Sequence, residues 1–329
     1  MDVLRLKRLS DAACIGHINE LSALLPKTTP LFGGSYCATL KGESDYTILL
    51  EAHIDEVGFI VTAVDERGFL KVSTVGGLDL RTLPSHRVII HGKEKLPGVF
   101  TSIPPHLTKG EAEFDDIKDL SIDSLLGASA RDYISVGDFV TFDRCSCALA
   151  GGRFTGKSLD DRAGCAVLAE VYDRLKDERL PVTVKFLFCN QEELGTRGSK
   201  TAAFEHFSSE AIALDVSFAA APGIAPEQCG KLGEGPMLGF SPILSSEISS
   251  ALAAICDREN IPYQREVMGG RTGTDADTIS ITKSGIPTGL ISLPLRNMHT
   301  DAEVVDLSDL DGAVSLLCGY VLQGGIKKC

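Results

Sequence analysis

No run of apolar residues in this chain approaches the roughly 20 needed to cross a bilayer, so the sequence reads as having no membrane span. An excess of positive charge is also missing. Lys and Arg total 32 against 45 Asp and Glu, a formal net charge of −13. That acidic balance argues against nucleic acid or an anionic membrane as a partner. There is no internal repeat, no low-complexity linker and no tryptophan, and the last absence bears on no function. The opening stretch MDVLRLKRLSDAACIGHINELSALL carries charges through its middle. It reads as an amphipathic helix rather than a signal peptide, with Leu4, Ala12, Ile15, Ile18, Leu21 and Leu24 near helical spacing.

The ten cysteines do not form a pattern. Cys14, Cys37, Cys165, Cys189, Cys229, Cys256, Cys318 and Cys329 stand alone, and only Cys145 and Cys147 are close. A C-x-C without a second pair is weak ground for zinc. A chain of 329 residues does not need disulfide staples, so the cysteines fit a reduced, cytoplasmic protein.

The hydrophobic texture changes twice. YTILLEAHID (46–55) reads as a buried strand. From about 57 to 148, short apolar alternations such as VGFIVTAV, HRVIIHG and VGDFVTF are broken by Gly and Pro, the mark of a small all-β unit. From 158 onward helices and strands alternate. Helices are expected at 160–177, 243–260 and 307–323, the last with Ser308 as N-cap. Strands are expected at 182–190, 211–217 and 288–294. Such alternation implies an α/β fold, a sheet covered by helices on both faces. The β-rich stretch then reads as an insertion.

In such folds functional groups gather past the C-terminal ends of the strands. His53 and Asp55 end the first strand, and Glu192 and Glu193 follow VTVKFLFCNQ. Asp215 ends AIAL, His299 follows TGLISLP, and Asp160 and Asp161 open a helix. Taken singly, each fits a solvated surface residue or a helix cap. Together they are the commonest imidazole and carboxylate metal ligands, gathered at the ends of one sheet. A single ion needs about four ligands, and this set is larger. Two ions about 3.5–4 Å apart need a bridging carboxylate and terminal ligands for each. One carboxylate must stay off the ions as general base. A Glu-Glu pair suits that division, because neighbouring side chains diverge. Asp55 is spaced to orient His53.

These residues lie in motifs that resemble the M42 metallo-aminopeptidases: AHIDEVGF (52–59), GKSLDDRAG (156–164), NQEELGTRGS (190–199), ALDVS (213–217), TGTDAD (272–277) and NMHTDAEVVDLSDL (297–310). The resemblance runs in order over nearly the whole chain, with KLGEGP (231–236) as a further family loop. It implies that Asp160 bridges two divalent metal ions, zinc or cobalt. His53 and Asp215 would complete one ion's shell, and Glu193 and His299 the other's. Glu192 would be the general base, with Asp55 supporting His53. It implies a phosphorylase/hydrolase-like mixed sheet flanked by helices, with an inserted small β-barrel-like domain. The catalytic metallopeptidase domain would comprise residues 1–60 and 149–329, and a β-rich dimerisation domain residues 61–148. Peptide substrates are implied, as is a homo-oligomer of dimers that in relatives builds a tetrahedral dodecamer. The acidic segment 106–133 falls where relatives make oligomer contacts. Arg271 and Thr272, in MGGRTGTDAD, depart from a plainer Gly-rich turn, and Arg271 suits either a surface position or an acidic substrate side chain. Two other readings remain: another di-metal amidohydrolase, a carboxypeptidase or deacylase, and a non-catalytic scaffold of the same fold. A glycosidase is disfavoured, since that chemistry ordinarily uses two free carboxylates.

Overall fold

The expected alternation of strand and helix assembles, in a computed structural model that describes residues 1–102, 106 and 117–328, around an eight-stranded mixed sheet. Its spatial order is Gln264–Val267, Met237–Phe240, Thr288–Leu295, Glu210–Phe218, Ser44–His53, Val182–Cys189, Tyr36–Leu40, Thr29–Pro30. The four strands from Thr288–Leu295 to Val182–Cys189 run parallel, and antiparallel pairings join the outer strands to them. All four parallel strands therefore end at the same edge.

Strand period sorts the core onto two faces. Ile48, Leu50 and Ala52 pack with Ala166, Val167 and Leu317, from the helices Leu159–Leu175 and Leu307–Gln323. The intervening Leu49 packs with Ala202, Ala203 and Ile279, from the helices Arg197–Glu205 and Ala276–Ile279. Burial on both faces explains why these strands read as nearly continuous apolar runs.

The all-β stretch closes into a six-stranded antiparallel barrel. Its strands are Gly58–Val64, Phe69–Val75, Arg87–His91, Lys95–Phe100, Ile122–Asp123 and Phe139–Phe142. The barrel has its own core, in which the Phe59 ring packs edge-on against Phe100 at 4.9 Å and Phe142 at 5.8 Å. Cys147–Ala148, Arg153–Gly156 and Glu303–Asp306 form a separate three-stranded sheet. Residues 107–116 of the acidic segment 106–133, and Cys329, lie outside the described residues.

Three expectations are corrected. The N-terminal helix spans only Val3–Asp11, capped by Asp2, and gives way to a hairpin pairing Cys14–Ile15 with Ile18–Asn19. Gly16 makes that turn with φ +58, where a Cβ would come within 2.1 Å of the Phe139 ring. Asp306, not Ser308, caps the last helix: its carboxylate accepts from the Ser308 amide and hydroxyl at 3.1 and 2.7 Å. Asp160 and Asp161 are non-helical, so regular helix starts after them. Asp161 accepts the Gly164 amide at 2.9 Å and acts as the cap, which leaves the Asp160 side chain free to turn elsewhere.

Candidate metal centre

The common strand edge brings together residues from five separate segments. His53 is the last residue of the central strand, and its Nε2 lies 2.9 Å from Asp160 Oδ1 and 3.9 Å from Asp215 Oδ1. His299 Nε2 lies 3.2 Å from Asp160 Oδ2 and 3.2 Å from Glu193 Oε1. Two groups result: His53–Asp160–Asp215, and Asp160–Glu193–His299. Within each, the ligand-capable atoms all lie within 4.8 Å of one another. Asp160 belongs to both, with one carboxylate oxygen facing each histidine. The first group is buried, and the second opens toward solvent at Glu193 and His299.

The backbone around these side chains is tightly held. Asp55 lies just past the central strand, and its two oxygens accept the amides of Glu192 and Glu193 at 3.0 and 3.1 Å. Its Oδ1 is also 3.5 Å from His53 Nδ1. One carboxylate thus sets the Glu-Glu pair and faces the back of the histidine. The turn into that pair needs Gln191 at φ +66, and His299 sits at φ +61. Glu303 accepts the His299 and Asp160 amides through its two oxygens. The barrel also reaches the site. A Cβ on Gly76 would come 3.3 Å from Glu193 Oε2, and His86 Nε2 lies 3.1 Å from Asp301 in the His299 loop.

Electrostatics test whether these residues fit cations. Burial, then the neighbouring Asp160 charge, pushes Asp215 well above the usual carboxylate range. Burial raises Glu193 despite its bond to His299. Burial, reinforced by Asp275, Glu193 and Asp160, pushes Glu192 up to about 8. Burial opposes charge on His299, yet hydrogen bonds to Asp160 and Glu193 push it up to about 11. The same bonding, from His299 and His53, holds Asp160 below the carboxylate range against its burial. His53 Nδ1 is buried and faces Asp55 Oδ1 at 3.5 Å. A pocket so rich in buried carboxylates needs protons or cations to balance it. Two groups of imidazole nitrogen and carboxylate oxygen, joined by one shared carboxylate, fit two divalent ions and leave positions open for water.

Other residues stand relative to this centre as follows. Glu192 lines a cavity of about 610 Å³ with Thr196, Ile243, Arg271, Asp277 and Ile281, so Arg271 and Glu192 border the same space. Cys145 and Cys147 are exposed, free and outside every candidate metal group among the described residues. Sequence reasoning missed Glu303. It also missed a third buried group, Glu51–Cys189–Asp275, in which neither Glu51 oxygen meets a donor. Burial and then the Asp275 charge hold Glu51 well above the usual carboxylate range. Strand alternation could have flagged Glu51, an acid in an apolar run two residues before His53.

The comparisons with known proteins agree with this geometry. The family model described as M42 glutamyl aminopeptidase matches residues 34–316. The lysyl aminopeptidase of Pyrococcus furiosus is 30% identical over 292 residues, covering 86% of this chain and 83% of that one. Among solved structures, the TET aminopeptidase of a marine-sediment Thaumarchaeota archaeon is similar, with a TM-score of 0.92 at 29% identity. The match covers 99% of this chain and 97% of that one. The TET1 peptidase of Pyrococcus horikoshii, described as able to assemble into a tetrahedron or a large octahedral shell, has a TM-score of 0.86 at 28% identity. That match covers 98% of this chain and 99% of the other. By family match, relatives and fold together, this chain belongs to the M42 family of aminopeptidases, hydrolases of peptide bonds.

Proposed function

We propose that this chain is a co-catalytic two-metal aminopeptidase that removes N-terminal residues from peptides. The observation that carries the reading is Asp160, whose two oxygens each face one histidine. In this reading His53, Asp160 and Asp215 would hold one ion, and Asp160, Glu193 and His299 the other. Zinc or cobalt suits the donors, since borderline ions take imidazole and carboxylate together. When bound, the ions would lower the pKa of a water molecule and polarise the scissile carbonyl.

The remaining work falls to the chain's own groups. Glu192 belongs to neither ligand group but lines the adjoining cavity, where it takes a proton from the attacking water and delivers it to the leaving amine. A carboxylate that holds no ion can make both transfers. Asp55 holds the Glu192 and Glu193 main chain and orients His53.

In this reading residues 1–60 and 149–329 form the catalytic part and residues 61–148 an inserted dimerisation domain, except that residues 58–60 open the first barrel strand and go with the insertion. Support comes from the barrel's separate core and from the shell assembly named for the TET1 peptidase. On that likeness the chain forms homo-oligomers built from dimers, up to a tetrahedral dodecamer. A cytoplasmic setting suits the nine described cysteines, which are free. No described helix is long and apolar enough to cross a membrane.

The test is a panel of aminoacyl-nitroanilides against N-acyl amino acids. Metal-free protein is reconstituted separately with zinc, cobalt and manganese. Ion-dependent release of nitroaniline supports the aminopeptidase. Hydrolysis of the N-acyl substrates alone supports the deacylase, and no hydrolysis with any ion supports the scaffold.

A further inference from the structure

The geometry points to Glu303 as a positioning residue that sets the spacing within the Asp160–Glu193–His299 group and so governs that group's affinity for its ion. The inference rests on the two-metal reading above.

Glu303 is 1% exposed and opens the strand Glu303–Asp306, where it lies opposite Gly156 on the neighbouring strand. Among the described residues no Lys, Arg or His forms an ion pair with it, and it belongs to neither candidate ligand group. A buried carboxylate without a cation is costly, so its partners matter. Both of its oxygens are used on main-chain amides. Oε1 accepts from His299 at 2.8 Å, and Oε2 accepts from Asp160 at 3.1 Å.

Those two residues come from distant parts of the chain, and their side chains face each other at 3.2 Å. Neither backbone is regular. His299 holds φ +61, in a loop closed by reciprocal bonds between Arg296 and Val304 at 3.0 Å each. Asp160 is non-helical at the head of its helix. A single rigid carboxylate therefore fixes two irregular segments against each other. The other group shares Asp160 but depends on Glu303 less, because its remaining members His53 and Asp215 are carried on paired strands.

Glu303→Gln keeps one acceptor oxygen and turns a donor toward the other amide. Outer groups that orient ligands are worth about 10- to 100-fold in metal affinity. The experiment is a stepwise titration of metal-free full-length protein with cobalt, followed by absorbance and by bound-metal analysis, with the melting temperature of the metal-free form measured alongside. The control is Glu210→Gln. Glu210 is a buried carboxylate bonded to Tyr46 at the start of its strand, remote from the ligand edge.

For Glu303→Gln, one of the two binding steps is expected to weaken about 10- to 100-fold while the other moves by less than about threefold. Glu210→Gln is expected to shift the melting temperature alone. Two unchanged steps in Glu303→Gln, with only a lower melting temperature, overturn the inference. If Glu303→Gln does not fold, the same titration is read on Glu303→Asp, where about tenfold weakening of one step is expected and unchanged steps overturn it. Wild-type protein that takes up no ion refutes the two-metal reading itself, an outcome distinct from these.

Discussion

Glu192→Gln separates base chemistry from ion binding. The substitution keeps the size of the side chain. It also keeps the hydrogen bond that the Glu192 main-chain N–H donates to Asp55 Oδ1 at 3.0 Å. Glu192 is in neither ligand group, so the ions should remain. What disappears is the ability to accept a proton. A positioned general base contributes about 10²- to 10⁴-fold, which is roughly 3–5 kcal/mol of barrier. In the metal-free protein, burial among carboxylates pushes this Glu up to about 8, and bound cations would draw it down again. The expected result is a fall in kcat of about 10²- to 10⁴-fold on leucyl-nitroanilide at unchanged metal content. Glu192→Asp withdraws the carboxyl by about one bond, and a misplacement of about 1 Å costs on the order of 10²-fold. Full peptidase activity in Glu192→Gln with both ions bound would refute the reasoning.

Further outcomes follow from the same geometry. Asp55→Asn leaves one acceptor for two amides, so kcat should fall by about 10- to 100-fold, read with the same substrate at saturating metal. In metal-free protein, His299 and Glu192 are raised to about 11 and about 8. The folded state therefore holds their protons more tightly than the unfolded chain does. Their contribution to stability is complete at acidic pH and is lost as pH climbs through those values. The melting temperature of chelated protein should thus fall between pH 5.5 and 9, while ion affinity rises as ions displace protons. A metal-free melting temperature that rises over this window would contradict the assignment. Gly16→Ala places a Cβ against the Phe139 ring at φ +58 and should cost roughly 1–3 kcal/mol in denaturant unfolding, with metal content unchanged.

Much of this structure was legible because it follows from short-range rules. The barrel strands announced themselves by alternation, and the structure buries the alternating members Phe59, Val61, Leu70 and Val72. The candidate ligand residues were legible because the parallel strands, and the segments that follow them, converge at one edge. His53, Asp160, Glu193, Asp215 and His299 indeed meet there. What was hidden depends on contacts between distant residues. The first helix stops at Asp11 although its apolar spacing continues, because the Gly16 turn fits against Phe139. Glu303 looked like one more acid in MHTDAEVV. Its role depends on the pairing of its strand with Arg153–Gly156, beside the head of the Leu159–Leu175 helix. Glu51 and Asp275 are far apart in sequence, and the fold alone joins them around Cys189.

The most direct test of the two-metal centre is to strip the protein with a strong chelator, return zinc or cobalt in measured steps, and follow bound metal and release of the N-terminal residue from a peptide together. The account predicts no release from the stripped protein, two ions bound per chain at saturation, and activity that returns with them. In Asp160→Asn, which removes one of the two shared anionic oxygens, both binding steps should weaken. Peptide hydrolysis that survives exhaustive chelation, or full activity with no ion bound, would contradict it.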